Sequence, residues 1–426
     1  MATHDVLVVG GGLSGLALAC KAARAGRRVT VLEAAPRIGG CFHSHRSPDG
    51  HWFEMGAHTA YNSYGGFLEL AEAAGVVSRL RVRGPQRARF GLLREGRYEW
   101  LTPAKILLRL GWLEAALHAP LGILRGKRGR SMRRYVEGLV GPRNYARLFG
   151  PFFAAVPSQC ADDFPAEGPG SLFKKRPRRA DYPRSFGFEG GLQAVLDGLA
   201  ALPGVTVETG AEVASLRRDG AGWVATTVDG RRFESLLAAL ATPPDVAARL
   251  LALEPPAAAA AAARIRTVVV ESLGVVLPRE RCWLPELAFL VPVDDLFHSV
   301  VTRDPFPDPA RRAFVFHFKP GIARETRLAR MAEVLRVAPQ DLADIVEQRL
   351  VLPAPAADHA ARVAAFDRAL AGAPLAVVGN WFDGLAIEDC VQRAFAEWAR
   401  IAAVPRPRSA EARTAGIDVP AITAPG

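Results

Sequence analysis

The chain has 426 residues, half of them hydrophobic and 23% charged, and this length predicts two packed domains rather than one core. Its 54 basic and 43 acidic residues leave a formal charge of +11, which predicts attraction to an anionic substrate, a membrane surface or nucleic acid. The five cysteines never form a C-x-x-C pair, a pattern typical of a reducing cytoplasm rather than of a disulfide framework or a zinc site. No uncharged apolar run approaches the ~20 residues needed to cross a bilayer, so we expect a cytoplasmic protein.

Residues 5–32 predict a strand at 6–9, a helix that ends at Gly26, and a second strand at 28–32. Residues 101–153 are helical and basic in pattern, and residues 205–240 are strand-rich with a hairpin signal at Asp229-Gly230. The alanine tract at 257–263 predicts helix, residues 265–320 predict antiparallel strands, and residues 325–350 predict helix again. Residues 404–426 lack periodicity and predict a disordered tail.

The turn between the first strand and the first helix contains Gly10, Gly12 and Gly15 in a G-x-G-x-x-G pattern. Such glycines let backbone amides approach a pyrophosphate at the positive end of a helix. Glu33 ends the second strand, where an acid can accept hydrogen bonds from a ribose. The pattern predicts a dinucleotide site; the alternative is a plain βαβ unit with a glycine turn.

The residues after Glu33 extend this fingerprint with Arg37 and the pair Gly39-Gly40. Here the sequence resembles the flavin-dependent amine oxidase superfamily, which follows its ribose-binding acid with a basic residue and a Gly-Gly pair against the FAD diphosphate. The resemblance departs at Cys41, where the family usually has arginine, so one phosphate or ring contact is lost or supplied from elsewhere. The segment Gly56-Ala57-His58 resembles the family's next segment, near the flavin ring.

A second glycine turn follows the predicted strand at 375–378 and leads into a helix. In the family, this closing segment places a helix N-terminus at the flavin, and the two motifs together favour FAD over NAD. Trp381 and Phe382 in this turn are either core aromatics or lining of the substrate cavity. The resemblance implies FAD contacts at Gly10, Gly12, Leu13, Ser14, Gly15, Glu33, Arg37, Gly39, Gly40, Gly56, Ala57, His58, Val213, Thr242, Gly379, Asn380, Asp383, Gly384 and Ile387.

Within the superfamily, residues 131–156, 171–175 and 185–193 most resemble protoporphyrinogen oxidases, and the resemblance extends over residues 4–403. It implies a small-molecule substrate such as a tetrapyrrole, hydride transfer to flavin N5 and reoxidation by O₂. The basic segments 125–134 and 174–184 then face an anionic membrane or attract a carboxylated substrate, or are simply solvated surface. No nucleic-acid recognition fold accompanies the charge, so we expect no nucleic-acid partner.

The sequence shows no catalytic triad or paired carboxylates, and we assign no catalytic side chain. Lys319 is a candidate for the lysine that amine-oxidising relatives keep near N5, but a surface strand lysine is the alternative. His43, His45, His51 and His58 lie close in sequence, yet no cysteine or carboxylate pattern completes a metal site, and we expect no metal.

We therefore expect an α/β protein: an FAD/NAD(P)-binding Rossmann-like domain of the GR2 type with an inserted α+β substrate domain. The FAD domain is expected at residues 1–85, 190–250 and 365–403, and the substrate domain at 86–189 and 251–364. Three alternatives to a protoporphyrinogen oxidase-like enzyme remain: a flavin amine oxidase or desaturase acting on another amine or apolar substrate in a specialised pathway, a non-catalytic flavin-binding scaffold, and an NAD(P) dehydrogenase.

Overall fold

The computed structural model describes residues 4–220, 222–342 and 344–402, so the predicted disordered tail at 404–426 lies outside the described residues. The strands are β1 His4–Val9, β2 Val29–Leu32, β3 Ser44–Arg46, β4 Trp52–Glu54, β5 Ala60–Tyr61, β6 Leu80–Val82, β7 Phe90–Arg94, β8 Arg97–Trp100, β9 Ser185–Phe188, β10 Val205–Glu208, β11 Val213–Asp219, β12 Gly222–Thr227, β13 Arg232–Leu240, β14 Thr267–Pro278, β15 Phe289–Val293, β16 Phe297–Thr302, β17 Arg311–Phe318, β18 Val346–Pro353 and β19 Leu375–Val377.

The helices are α1 Leu13–Arg24, α2 Gly65–Ala73, α3 Pro103–Arg109, α4 Trp112–Arg125, α5 Met132–Val140, α6 Pro142–Asn144, α7 Gly150–Ala155, α8 Gln193–Ala200, α9 Pro244–Leu250, α10 Pro256–Ala262, α11 Arg324–Leu335, α12 His359–Leu370 and α13 Ile387–Ala402. A π-helical turn at Tyr145–Phe149 joins α6 to α7. The predicted strand, turn, helix and strand at residues 5–32 are confirmed as β1, α1 and β2.

The first sheet has the strand order β10-β2-β1-β13-β12-β11, and β19 pairs with the second half of β13. Strands β10, β2, β1, β13 and β19 run parallel, so their carboxyl ends meet at one edge, here called the carboxyl edge. These strands come from three widely separated stretches of the chain, as the sequence predicts. The predicted domain boundaries themselves stay predictions.

Helices cover both faces of the first sheet, because its central strands are apolar on both sides. Val6 and Val8 of β1 pack with α1, α2, α8 and α13, whereas Leu7 and Val9 pack with α9, α10 and α12. A parallel sheet buried on both faces is the arrangement expected of a nucleotide-binding α/β unit.

The second sheet has the order β18-β14-β17-β16-β15-β7-β8 and is antiparallel except for the pair β15 and β7. It confirms the antiparallel strands predicted at residues 265–320. Residues 312–318 of β17 are all buried, because one face packs against Phe53 and Met55 and the other against Met331 and its neighbours in α11.

The prediction of helix at residues 325–350 is wrong in its second half. Helix α11 ends at Leu335, and Arg336 adopts a left-handed conformation with φ of 54°. Pro339 cannot continue a helix there, and β18 pairs residue by residue with β14, from Val346 opposite Gly274 to Pro353 opposite Thr267. The ladder supplies the backbone hydrogen bonds that a helix would have supplied.

The helical, basic region predicted at 101–153 is confirmed as α3 to α7. In the part of the chain that the structure describes, no single helix is long and apolar enough to cross a membrane. Helices α3 and α4 meet that criterion only when counted together, and they are bent by 97° at the residues between them.

Candidate active site

The glycine turn after β1 needs its glycines for contact with the neighbouring backbone. Gly10 has φ of 108°, and a Cβ there would lie 2.4 Å from the carbonyl oxygen of Ala241. A Cβ on Gly15 would lie 2.1 Å from the carbonyl oxygen of Gly10. At Gly12 the nearest atom would be 3.8 Å away. The turn is therefore in close contact with the neighbouring backbone at Gly10 and Gly15 and leaves open space at Gly12. Leu13 and Ser14 occupy the first turn of α1.

The side chain of Glu33 reaches this turn from the end of β2. One carboxylate oxygen accepts the backbone N–H of Gly11 at 2.7 Å, and the other accepts that of Ala35 at 2.8 Å. The loop after β2 closes beside it, because the N–H of Gly39 donates to the carbonyl oxygen of Gly11 at 2.9 Å. The sequence-predicted acid and the glycine turn are therefore one unit.

Arg37 braces this loop. Its guanidinium donates to the carbonyl oxygens of Ile38, Phe42 and Gly40 at 3.1, 2.9 and 3.3 Å. Next to Gly40, burial raises the pKa of the Cys41 thiol to about 11. The thiol is thus neutral at physiological pH and provides no charge in place of the family's arginine.

The second glycine turn lies at the same carboxyl edge, after β19. Gly379 and Gly384 have φ of 153° and 157°. Trp381 and Phe382 are stacked and fully buried against Phe366 of α12, which settles their alternatives in favour of core aromatics. The backbone carbonyl of Asp383 accepts hydrogen bonds from the N–H of Gly170 and the ammonium of Lys174, each at 2.5 Å.

One predicted contact has an unsatisfied polar group. The hydroxyl of Thr242, just after β13, is buried and has no hydrogen-bond partner among the described residues. Buried hydroxyls are normally bonded, so this group fits a polar ligand at the carboxyl edge. Together with the open face at Gly12, it shows that the residues present fit FAD.

A cavity of about 520 Å³ lies between the carboxyl edge and the second sheet. The predicted contacts Gly56, Ala57, His58, Asn380 and Ile387 line it, beside Cys41. The other predicted contacts lie around the two glycine turns and at Val213 on β11. All nineteen stay predictions as FAD ligands. Lys319 does not line the cavity and is exposed.

Most of the cavity wall is apolar, but polar side chains that sequence reasoning missed also line it, among them Tyr61, Arg83, Arg87, Ser272 and His317. Of these five, only His317 gave a signal in the sequence, as the polar residue in the aromatic stretch 314–318. Among the residues that the structure describes, no aspartate or glutamate lines this cavity.

Two histidines in this cavity are hydrogen-bonded to each other. The Nε2 atoms of His58 and His317 are 2.9 Å apart, and Nδ1 of His317 is 2.8 Å from Oγ of Ser272. Burial lowers the pKa of His317 to about 4 and that of His58 well below its ordinary value. The chain Ser272–His317–His58 is therefore neutral, and His58 ends it in the cavity. Across residues 4–220, 222–342 and 344–402, no group of three or more His, Cys, Asp or Glu residues could hold a metal ion.

Two sequence family models match the chain: an NAD(P)-binding Rossmann-like domain at residues 8–72 and a flavin containing amine oxidoreductase at residues 125–316. A crystal structure from Exiguobacterium sp. 255-15, provisionally assigned as a protoporphyrinogen oxidase, is similar with a TM-score of 0.77 and 19% identity over 94% of this chain and 99% of that one. Cyclohexylamine oxidase from Brevibacterium oxydans IH-35A is similar with a TM-score of 0.68 and 15% identity over 94% of this chain and 98% of that one. At these identities, the structural matches show the fold.

Among curated proteins, 15-cis-phytoene desaturase from Narcissus pseudonarcissus is 35% identical over 77 residues, which are 18% of this chain and 14% of that protein. The chain thus aligns with only a small part of that relative's length. The chain thus combines a Rossmann-like dinucleotide-binding domain with a segment similar to flavin containing amine oxidoreductases. The match to the flavin containing amine oxidoreductase model covers residues 125–316, and the two solved oxidase structures share the fold of this chain.

Proposed function

We propose that this protein is a protoporphyrinogen oxidase-like enzyme that oxidises a tetrapyrrole or a similarly large substrate, with O₂ as the final electron acceptor. The observation that carries the proposal is the cavity of about 520 Å³, which reaches from the predicted flavin contacts to the floor of the second sheet. Its apolar wall suits a large ring system, and its arginines suit acidic substituents.

The cofactor, when bound, supplies a hydride acceptor at N5. The chain's own residues then have to hold the substrate, exclude water and manage a proton. Apolar side chains, among them Phe152 of α7, Phe289 of β15 and Leu350 of β18, line most of the wall and exclude water. The neutral His58 ends in the cavity, where its imidazole can accept a proton released by a substrate nitrogen, and the hydrogen bonds among His58, His317 and Ser272 orient its ring.

The main alternative is a flavin amine oxidase or desaturase for another amine or an apolar substrate. A diamine would carry a second ammonium group into the cavity, and an acidic side chain would be needed there to pair with it. The described lining contains none, which favours the tetrapyrrole. A non-catalytic flavin-binding scaffold is the alternative of another class.

The test uses the visible spectrum of the purified protein, followed by anaerobic addition of a porphyrinogen. We expect a yellow protein whose flavin absorbance bleaches on addition and recovers in air with formation of hydrogen peroxide. A yellow protein that does not react with porphyrinogen but is bleached by another amine or alkene would show that the substrate is of that other class. One that no substrate bleaches would support the scaffold.

We also propose that the enzyme touches an anionic membrane through α3 and α4. Large apolar side chains are exposed along both helices, with Leu108 at 83% and Leu124 at 82% of their full exposure. The others are Leu107, Trp112, Leu113, Leu117, Leu121 and Ile123. An apolar surface of this kind marks an interaction site.

Charge on this surface favours anionic lipid as the partner. Arg125, Lys127 and Arg128 follow at the end of α4, and none of them forms an ion pair among the described residues. In the second basic segment, by contrast, two of the basic side chains are paired, since Lys174 and Arg176 form ion pairs with Asp389 at 3.2 and 2.7 Å. An amphipathic helix with free basic residues at its end is the pattern of interfacial lipid binding.

Flotation with phospholipid vesicles tests this contact. We expect binding to vesicles that contain phosphatidylglycerol, weaker binding to pure phosphatidylcholine, and loss of binding in the double variant Leu113→Ser, Leu117→Ser. The matched control is Val228→Ser, Leu253→Ser, which removes apolar side chains exposed to 66% and 65% elsewhere on the surface. Equal binding by both double variants would contradict the proposal.

A further inference from the structure

Arg83 is a buried cation in the cavity wall without a counter-ion. It follows β6 and is only 9% exposed. Its backbone is satisfied, because its N–H donates to the carbonyl oxygen of Ser185 at 3.3 Å and its own carbonyl accepts from Nη1 of Arg87 at 3.0 Å. Its guanidinium forms no hydrogen bond or ion pair with any described residue, and its buried Nε lacks a partner.

The surroundings do not compensate this charge. Arg87 lies beside it, lines the same cavity and donates only to backbone carbonyls, those of Arg83 and Gly84. Burial lowers the pKa of Arg83, and Arg87 lowers it further. A guanidinium nevertheless stays charged in proteins, so the wall carries an uncompensated positive charge.

Elsewhere this chain neutralises a buried arginine. Arg312 on β17 is 4% exposed, and its Nε and Nη2 donate to the two carboxylate oxygens of Asp304 at 2.8 and 2.5 Å. Nη2 of Arg312 also donates to the carbonyl oxygen of Pro285 at 3.0 Å. The contrast between Arg312 and Arg83 is informative, because an unpaired buried charge is costly and buried charges are normally paired.

We propose that Arg83 and Arg87 form a subsite for a carboxylate of the substrate. A guanidinium fork binds a carboxylate through two parallel hydrogen bonds, and the absence of acids from the described cavity wall leaves the substrate as the counter-ion. The remaining wall is apolar, so the substrate class is an apolar or aromatic body with a carboxylate. The subsite rests on the proposed function, because the molecule bound there is taken to be the one that the enzyme oxidises. A carboxylate subsite disfavours uncharged hydrocarbons and diamines as substrates.

The experiment measures binding to the FAD-loaded protein without turnover, by calorimetry. Protoporphyrin IX, which carries two carboxylates, is compared with its dimethyl ester, and indole-3-acetate is compared with its amide. We expect the wild type to bind each acid about 10-fold or more tightly than its neutral counterpart. Arg83→Met abolishes this preference, Arg83→Lys keeps part of it, and Arg87→Met reduces it.

The matched control is Arg81→Met, which removes a positive charge from β6, two residues before Arg83. Arg81 pairs with Glu189 outside the cavity, so the acid preference should stay. Two further readouts separate a binding role from a structural or cofactor role: Arg83→Met should keep its FAD affinity, and its Tm should be unchanged or higher, because an unpaired buried charge has been removed.

The outcomes distinguish this inference from the proposed function. If the indole pair shows the preference dependent on Arg83 but neither porphyrin binds, the carboxylate subsite stands and the tetrapyrrole does not. If porphyrinogen bleaches the flavin but Arg83→Met, Arg83→Lys and Arg87→Met all keep the acid preference, the subsite is wrong and the proposed function stands. If the wild type shows no preference for either acid, the subsite is wrong.

Discussion

The carboxyl edge of the first sheet and the cavity under the second sheet belong to one site, but backbone atoms form the first region and side chains form the second. At the carboxyl edge the decisive atoms are backbone atoms: glycine turns, free amides and carbonyl oxygens around Gly10, Gly15 and Gly379. In the cavity the decisive atoms are side chains, such as Arg83 and His317, that come from distant segments.

The difference teaches which features of a site can be deduced from a single sequence. A backbone site needs particular residue types at fixed short spacings, because only glycine permits the close approach. A side-chain site needs only that the fold brings its members together, and no spacing records that. Substitutions in each region can test whether this division holds.

We expect the largest effect at the carboxyl edge, from Gly15→Ala. The added Cβ would lie 2.1 Å from the carbonyl oxygen of Gly10 and 3.1 Å from Cβ of Ala241, so the turn has to move. FAD affinity should fall about 100-fold or more, as measured by flavin content after purification and by titration with FAD.

The control for this change is Gly65→Ala at the start of α2, where an added Cβ meets no atom within 4 Å. It should keep FAD affinity within about threefold. Circular dichroism of both variants separates loss of cofactor from loss of fold. A folded Gly15→Ala protein that binds FAD as the wild type does would show that this glycine turn does not bind the cofactor.

A smaller effect at the same edge is expected from Glu33→Gln. The carboxylate accepts one backbone N–H on each oxygen, and an amide would turn its NH₂ group towards one of those donors. We expect FAD affinity to fall about 10-fold. FMN, which lacks the adenosine ribose, should lose less affinity than FAD if Glu33 also binds that ribose; an equal loss for both flavins would place the acid's role in the turn alone.

Much of the fold could be predicted because its signals are local. The unit at residues 5–32, the second glycine turn and the hairpin at Asp229-Gly230 all depend on glycines and apolar runs of a few residues. The error at 336–350 arose because β18 is held by a ladder to β14, about 80 residues earlier in the chain, and local propensity does not contain that pairing.

The candidate site divides in the same way. Glu33 could be predicted because it stands at a fixed distance from the glycine turn. Arg83, Ser272 and His317 could not, since they meet only after β6 has paired with β9 and β14 has paired with β17. Trp381 shows a third case: its motif left core and cavity open as alternatives, and packing against Phe366 places it in the core.

The smallest effect is expected in the cavity, from His317→Asn, and it is visible only as a pH dependence. Burial lowers the pKa of His317 to about 4 from an ordinary value of 6.5. As the pH falls below 6.5, His317 is therefore protonated in the unfolded chain, whereas in the folded chain it stays neutral until about pH 4. The folded state loses stability between these two pH values. Burial also raises the pKa of Glu54 to about 7, which favours the folded state as the pH falls, but this contribution is the same in both proteins and cancels in their difference.

We expect the wild-type Tm to fall by about 2–4 °C more than that of His317→Asn between pH 7.5 and pH 5. Comparing the slopes of Tm against pH removes the effect of the lost hydrogen bonds to His58 and Ser272, because that effect is the same at every pH. His118→Asn is the control, because this half-buried histidine of α4 bonds only to the carbonyl oxygen of Glu114, outside the cavity, and its variant should keep the wild-type slope. If His317→Asn also keeps that slope, the folded protein protonates His317 as readily as the unfolded chain does, and burial does not keep the histidine pair neutral below pH 6.5.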